Sequence, residues 1–200
     1  MENKYINLLK ERRSIYALGE KVSLSNENIL ELVKVAIKES PSSFNSQTSR
    51  AVVLFGDSHE KLWDLTEAAL KLAVPEGQDF TPTIEKLNSF RSGYGTILFF
   101  EDMSIVKNLQ EQFVLYADNF PVWAEQSSGI AQHSVWTALA TENIGASLQH
   151  YNPLIDDAVH SEWNLSSDWK LRAQMPFGSI EAPVQDKEYM DDAERILSFN

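Results

Sequence analysis

The sequence contains no cysteine, and this absence excludes several kinds of site at once. Without thiols the chain has no disulfide framework, no thiolate metal site and no cysteine nucleophile. The absence agrees with a reducing compartment, and the N-terminal segment, residues 1–13, lacks the apolar core of a secretion signal. We therefore expect a cytoplasmic protein.

Basic residues are scarce: 17 lysines and arginines stand against 29 aspartates and glutamates, which gives a formal net charge of −12 at pH 7. The long-range field of such a chain repels nucleic acid and anionic membrane surfaces. Long hydrophobic runs are also missing. The longest, such as residues 51–55 and 96–100, fall far short of the roughly 20 residues that span a bilayer. We expect neither nucleic acid nor a membrane as a partner.

Several common catalytic and phosphate-binding motifs are absent as well. The chain has no Gly-x-x-x-x-Gly-Lys-Ser/Thr loop, no Gly-x-Gly-x-x-Gly, no Gly-x-Ser-x-Gly and no His-Glu-x-x-His. Its four histidines are scattered, and without cysteine they show no recognisable metal-ligand spacing. The sequence therefore predicts no metal site.

The residues that are present predict one domain over residues 1–200. The chain is 43% hydrophobic, enough for one good-sized core, and has no repeat and no linker rich in Pro, Gly or Ser. Hydrophobic periodicity predicts helices over Ser25–Glu39, Ser58–Leu72, Thr81–Gly93, Ser104–Tyr116, Trp123–Ile144, Ile155–Trp163 and Glu188–Ile196, after a first helix that ends at Arg12. It predicts strands over Ala51–Phe55, Thr96–Phe100 and Ala146–His150, and a last strand that begins at Trp169 or Leu171 and ends at Phe177. This is an α+β pattern with four or five strands.

A loop of small polar residues connects the second helix to the first of these strands. Between Pro41 and Arg50 there are four serines, one threonine, one asparagine, one glutamine and a single aromatic residue, Phe44. Such a loop supplies many short hydrogen-bonding groups for a polar ligand. It is equally typical of a connector whose side chains satisfy its own backbone.

Two adjacent arginines and a serine, Arg12-Arg13-Ser14, end the first helix. The planar guanidinium fork suits phosphate or carboxylate, and a serine hydroxyl is a donor that phosphate oxygens accept. The alternative is a solvated helix end whose cations complement the negative end of the helix dipole. The residues alone leave both interpretations open.

Taken together, the two motifs resemble the flavin-binding signature of the nitroreductase superfamily. Arg12-Arg13-Ser14, a patterned second helix, and Pro41 to Gln47 running into a strand occur in that order. The resemblance continues through the long central helix, a Gly-x-Ser turn at residues 145–147 and a late strand ending in Phe-Gly, so it covers essentially the whole chain. The segment Leu148–Pro153 is similar to the branch that includes the fungal fatty-acid-repression-mutant proteins and small bacterial enzymes.

This resemblance implies an FMN-containing homodimer with two identical sites at the subunit interface, each built from both chains. It implies an α+β fold with a central, mostly antiparallel sheet surrounded by helices and a long central helix at the dimer interface. The cofactor-binding residues that it implies are Arg12, Arg13, Ser14, Tyr16, Pro41, Ser42, Ser43, Asn45, Gln47, Lys86, Asn88, Gln149, His150, Tyr151 and Lys187.

Each group in this set has an implied role. The Arg-Arg-Ser motif holds the FMN phosphate and the pyrimidine end of the ring, and the residues from Pro41 to Gln47 lie against the flavin from the partner subunit. Lys86 and Asn88 match contacts to the ring edge or ribityl chain, and residues 149–151 supply backbone amides toward N5 and O4. Tyr16 stands where many relatives have a basic side chain, and Lys187 is the candidate for a C-terminal phosphate contact.

The implied activity is NAD(P)H oxidation coupled to the reduction of nitroaromatics or quinones, by hydride transfer through flavin N5 and without an amino-acid nucleophile. Two alternatives remain at this point. One is a flavin-binding regulatory or storage protein of the same fold with little turnover. The other is a helical interaction protein with no cofactor, in which the arginines and serines are solvated.

Overall fold

A central sheet is built mainly from the apolar segments that the sequence predicts as strands. The computed structural model describes residues 3–75 and 77–199. Its strands pair antiparallel in the order β1-β5-β3-β2, with β4 also beside β5. They are β1 (Leu18–Gly19), β2 (Ser49–Phe55), β3 (Gly95–Asp102), β4 (Gly145–Ala146) and β5 (Trp169–Ile180).

Helices cover both faces of this sheet. They are α1 (Lys4–Glu11), α2 (Asn26–Lys38), α3 (Asp57–Ala73), α4 (Thr81–Arg91), α5 (Met103–Gln112), α6 (Phe120–Thr141), α7 (Asp156–Glu162) and α8 (Asp192–Arg195). Two 3₁₀ turns occupy Ser43–Asn45 and Val114–Asn119. Among the described residues, no helix has the length and hydropathy needed to cross a bilayer.

The sheet separates two apolar cores because successive side chains of a strand point to opposite faces. Ile97 and Phe99 of β3 face the layer that contains α2 and α6. Leu98 and Phe100 face the layer that contains α3, α4 and α7. All residues of β3 are buried, as expected for a strand covered on both sides. The α+β prediction, with a mostly antiparallel sheet surrounded by helices, is confirmed.

The second helix forms as its sequence predicts. The Ser25 hydroxyl accepts a hydrogen bond from the Asn28 amide at 3.3 Å, and Glu27 occupies the first turn. This cap satisfies a donor that the helix itself leaves unpaired. The helix ends at Lys38, two residues before Ser40-Pro41, since a residue before proline disfavours helical backbone.

Two predicted elements are much shorter than expected. The strand predicted over Ala146–His150 is wrong beyond Ala146: β4 ends there, and the later contacts with β5 are a hydrogen bond from the Ser147 amide to the Pro176 carbonyl and a single bridge between Gln149 and Gln174. The tail helix predicted over Glu188–Ile196 is reduced to Asp192–Arg195. Residues 181–199 are exposed, so no packed apolar face supports a longer helix there.

Other boundaries differ for local reasons. The long helix predicted to begin at Trp123 begins at Phe120, and Pro121 lies in its first turn, where its missing N–H costs nothing. The segment before it, Val114–Asn119, is a 3₁₀ turn. The third helix begins at Asp57, after Gly56 with φ +51°, and not at the predicted Ser58. The two-residue β1 carries no pattern long enough to predict from sequence.

Candidate flavin site

The first motif lines the cavity that we call the arginine cavity. Its volume is about 550 Å³, and it lies between residues Arg12–Ala17, which follow α1, and Ala182–Lys187, which follow β5. Ligand pockets commonly measure about 300–1,000 Å³. The structure therefore brings Lys187 to the same cavity as Arg12, Arg13, Ser14 and Tyr16.

The two arginines carry positive charge that no carboxylate offsets among the described residues. Neither guanidinium takes part in a salt bridge there. Arg12 stacks over the ring of Trp136 at 4.3 Å, and its buried Nε has no hydrogen-bond partner in the described part of the chain. Arg13 Nη2 donates to the Gln185 carbonyl at 2.6 Å. Burial and then the charge of Arg13 lower the pKa of Arg12. The arrangement fits an anionic group.

The Arg-Arg-Ser segment is fixed to the edge of the sheet beside β4. Ser14 forms a parallel bridge with Ala146, and the Ile15 amide donates to the Ala146 carbonyl at 2.9 Å. The same carbonyl accepts from Trp136 Nε1 at 3.1 Å. Ser14 and Tyr16 are exposed, so their side chains remain accessible from the cavity.

The segment after β4 presents its backbone amides differently from the sequence expectation. The Gln149 amide donates to the Gln174 carbonyl at 2.7 Å, and the Tyr151 amide donates to Gln174 Oε1, also at 2.7 Å. Over the residues that the structure describes, the His150 amide makes no hydrogen bond. Of the three candidate donors, only His150 is free for a ligand.

The second motif, Pro41–Gln47, which we call the polar loop, has an unusual backbone. Phe44, Asn45 and Gln47 have φ of 58°, 50° and 50°, in the left-handed region that costs L residues roughly 1–2 kcal/mol each. Internal hydrogen bonds hold these conformations: the Gln47 amide donates to Ser42 Oγ at 3.0 Å, and Gln47 Nε2 donates to the Asn45 carbonyl at 3.4 Å. Backbone strain of this kind clusters at ligand-binding sites.

The polar loop lies away from the arginine cavity. Pro41, Ser42 and Gln47 line a separate cavity of about 60 Å³ against Ser127 and Ala131 of α6. The two cavities have no lining residue in common. Within one chain, therefore, the structure does not bring the two motifs to a common site.

Lys86 and Asn88 lie on α4 and line neither cavity. Asn88 Oδ1 accepts from Arg91 Nη1 at 2.8 Å, and Lys86 Nζ lies 6.0 Å from the centre of the Phe90 ring. Helix α4 packs in the layer with α3, whereas the polar loop contacts α6. The structure does not bring these two residues together with the other candidates of the chain.

Sequence reasoning missed an aromatic cluster beside the polar loop. The half-exposed Phe44 ring lies 4.9 Å from Phe113, 5.4 Å from Phe120 and 5.9 Å from Trp123, centre to centre. The signal was present, because Phe44 is the single aromatic residue in an otherwise polar loop. Its left-handed backbone turns the ring toward α6 instead of into a core.

A buried carboxylate beside the first residue of β2 was also missed. Glu101 is fully buried at the end of β3, and its Oε1 accepts from Ser49 Oγ at 2.5 Å. Burial raises the pKa of Glu101, against the lowering effects of the Ser49 and Thr48 hydroxyls and the Arg172 charge. An acidic residue next to a predicted strand looks like a strand end in the sequence, so nothing marked it as buried.

Comparison with known proteins shows which family the chain resembles. The Nitroreductase family profile matches residues 9–179. Nitroreductase CinD from Lactococcus lactis, solved in complexes with chloramphenicol and with 4-nitrophenol, is 53% identical; the chloramphenicol complex has a TM-score of 0.91 and covers 98% of this chain and 100% of its own.

Two further relatives extend the comparison. Nitroreductase FRM2 from Saccharomyces cerevisiae is 30% identical over 190 residues, 94% of each chain, which confirms the resemblance to the fungal branch. A structure from Desulfovibrio desulfuricans in complex with FMN shares the fold, with 20% identity and a TM-score of 0.72; the match covers 100% of this chain and 99% of that one. On the family profile and these identities, the chain belongs to the nitroreductase family.

Proposed function

We propose that this nitroreductase-type oxidoreductase binds FMN and uses NADH or NADPH to reduce nitroaromatic or quinone acceptors. The observation that carries the proposal is the pair of guanidinium groups on the arginine cavity, with no carboxylate partner in the described residues of a chain of net charge −12. The presence of 4-nitrophenol in the CinD complex, and of FMN in the Desulfovibrio structure, supports the choice of substrate class and cofactor.

The residues of the arginine cavity suit the phosphate end of FMN. Arg12 and Arg13 offer planar, charged donors, and Ser14 offers an exposed hydroxyl. Lys187, on the opposite wall, adds a further cation. Arg13 would exchange its hydrogen bond to the neutral Gln185 carbonyl for one to an anionic phosphate oxygen, in which both partners are charged.

Bound FMN would supply the redox chemistry, which is hydride transfer from a nicotinamide to the acceptor. The protein orients the ring and stabilises negative charge on its polar edge. Arg12 is a cation available for that edge, and the His150 amide is a backbone donor that has no partner among the described residues. Tyr16 contributes an exposed phenol to the same cavity.

A homodimer with shared sites accounts for the separation of the two motifs. Along the sequence, the Arg-Arg-Ser motif precedes α2 and the polar loop follows it, and this helix of 13 residues is roughly 20 Å long. A two-fold axis brings the polar loop of one subunit to the arginine cavity of the other. Half-exposed apolar side chains on α1, α2 and α6, among them Tyr5, Val35 and Ile130, offer a surface for such an interface.

We also propose that the protein is cytoplasmic, because its lack of cysteine agrees with a reducing compartment.

The purified protein tests this proposal directly. We expect a yellow protein with the absorption bands of oxidised flavin and one FMN per chain. We also expect steady oxidation of NADH or NADPH when 4-nitrophenol or a simple quinone is added. Protein that is colourless and takes up no added FMN would overturn the proposal. Protein that binds FMN but shows no turnover with either donor would favour the regulatory or storage alternative.

A further inference from the structure

One buried side chain organises the segment that carries the free amide. Gln174 of β5 is fully buried and makes four hydrogen bonds to residues 149–152. Its backbone N–H and C=O both pair with Gln149, at 2.9 and 2.7 Å. Its Oε1 accepts from the Tyr151 amide at 2.7 Å, and its Nε2 donates to Asn152 Oδ1 at 3.3 Å.

This pairing fixes the direction of the His150 amide. In a hydrogen-bonded antiparallel pair, both polar backbone groups of each residue face the partner strand, and those of the next residue face away. Gln149 faces β5, and the Ser147 amide also donates to β5, at the Pro176 carbonyl. Residues 146, 148 and 150 therefore turn their backbone groups to the outer edge.

The outer edge is the one that carries the Arg-Arg-Ser segment. The Ala146 carbonyl meets the Ile15 amide there, and Ser14 pairs with Ala146. His150 is exposed, and its N–H points to the same side. The His150 amide and the arginine cavity thus lie along one edge of one chain.

We propose that Gln174 is a positioning residue for the flavin site, which holds residues 149–152 so that the His150 N–H is the backbone donor facing the flavin ring. This inference rests on the proposed function. A buried amide side chain suits the task because its acceptor and donor each have a partner in the same short segment. Leaving those partners unpaired in a buried site costs more than an exposed hydrogen bond contributes.

Amide hydrogen exchange in the apoprotein tests, without any cofactor, whether the Gln174 side chain holds residues 149–152 in place. Gln174→Met keeps the side-chain volume but removes both polar atoms, so the Tyr151 amide should exchange about tenfold faster. Gln174→Glu keeps an acceptor oxygen and should restore most of that protection. Asn152→Ala is a milder variant, for use if Gln174→Met does not fold, and should give a smaller acceleration. Gln132→Met is the matched control: Gln132 is buried too, but its Nε2 donates to Ser128 within α6.

Added FMN then tests whether the His150 N–H is the donor that faces the flavin ring. In wild type, added FMN should slow exchange of the His150 amide. Gln174→Met should bind FMN within about threefold of wild type, because the arginine cavity is untouched, while the rate constant for flavin reduction falls about tenfold through misplacement of the donor. Gln132→Met should change neither quantity.

The outcomes separate this proposal from the proposed function. If the Tyr151 amide exchanges at the wild-type rate in Gln174→Met, the Gln174 side chain does not hold this segment in place. If wild type binds FMN and turns over while His150 exchanges as in the apoprotein, the donor assignment is wrong and the proposed function stands. If wild type neither binds FMN nor oxidises NAD(P)H, both proposals are overturned.

Discussion

The arginine cavity and the polar loop are prepared for a ligand in different ways. The cavity is open, at about 550 Å³, and its Arg12 and Arg13 side chains have no carboxylate partner in the described residues. The polar loop lines a cavity of only about 60 Å³, and internal hydrogen bonds hold its residues of left-handed backbone conformation in place. The cavity therefore offers charge and space, and the loop offers a shaped surface.

This difference indicates a division of work between the two regions. Unpaired charge gives affinity for an anionic group, because the guanidinium groups have no carboxylate partner in the described residues and can bind the anion instead. A strained loop gives shape, because its geometry is set before the ligand arrives. Damage to the cavity should therefore appear mainly in cofactor affinity, and damage to the loop mainly in stability and site geometry.

The largest effect is expected from the arginines. Charge-assisted hydrogen bonds contribute about 1.5–3 kcal/mol each, so Arg13→Ala or Arg12→Ala should weaken FMN binding by roughly one to two decades. Fluorescence titration of the apoprotein with FMN measures this loss. Lys10→Ala, which removes an exposed cation from α1 outside the cavity, is the control. Stoichiometric FMN in both arginine variants after extensive dialysis would contradict the assignment.

The next prediction tests whether the two regions come from different subunits. Arg13→Ala and Asn45→Ala should each be nearly inactive alone but complement each other after they are unfolded and refolded as a mixture. In an equal mixture about half of the dimers are heterodimers, each with one intact and one doubly damaged site, so about a quarter of wild-type activity should return. Steady-state turnover of the mixture measures the recovery.

Subunit exchange must be verified for this result to count. Mass-tagged chains of the two variants show whether heterodimers have formed. With exchange verified, activity no higher than the average of the two parents would place both motifs in the site of a single chain. That result would reject the shared site while leaving the phosphate assignment of the arginines intact.

The sequence predicted the helices, the strands and the arginines of the site better than it predicted the backbone geometry of the site. The two central strands and α2 follow from period-2 and period-3.6 patterns that depend on local residues. The arginines were identifiable because tandem cations are conspicuous in an acidic chain. Neither inference requires knowledge of which residues meet across the fold.

The remaining features depend on contacts between distant segments. Gln174 looks like an ordinary polar residue in a strand until Gln149 and Asn152 are seen beside it. The strand predicted after Gly145 ends early because only Gln149 of its later residues forms a bridge with β5. Glu101 is buried because Ser49 of the neighbouring strand lies opposite it in the register. Local propensity carries none of this information.

A third prediction tests the strained conformation of the polar loop. Asn45 has φ +50°, which asparagine tolerates and a β-branched residue does not. Asn45→Val should lower the free energy of unfolding by roughly 1–2 kcal/mol, whereas Asn45→Gly should cost little or nothing at this position. Urea denaturation at fixed protein concentration measures both. Asn28→Val, the same exchange at an exposed position of α2, should stay within about 0.5 kcal/mol of wild type. Equal losses for the two valine variants would show that the loop stores no conformational strain.

The smallest expected effect concerns Glu101, the buried carboxyl group that accepts a hydrogen bond from Ser49. Burial raises the pKa of Glu101, so the folded state favours the protonated carboxyl group. Its stabilising contribution is complete below the usual pKa of a glutamate and is lost as the pH rises through the raised value.

Glu101→Gln removes this titration and keeps an acceptor for the Ser49 hydroxyl. We expect the variant to be more stable than wild type by about 1 kcal/mol at pH 8, with the gain shrinking toward zero at pH 4. Urea denaturation at the two pH values measures the gain, with the exposed Glu111→Gln on α5 as the control, for which no such change is expected. The same stability difference between variant and wild type at both pH values would mean that folding does not raise the pKa of Glu101, and the burial argument for this carboxyl group would be wrong.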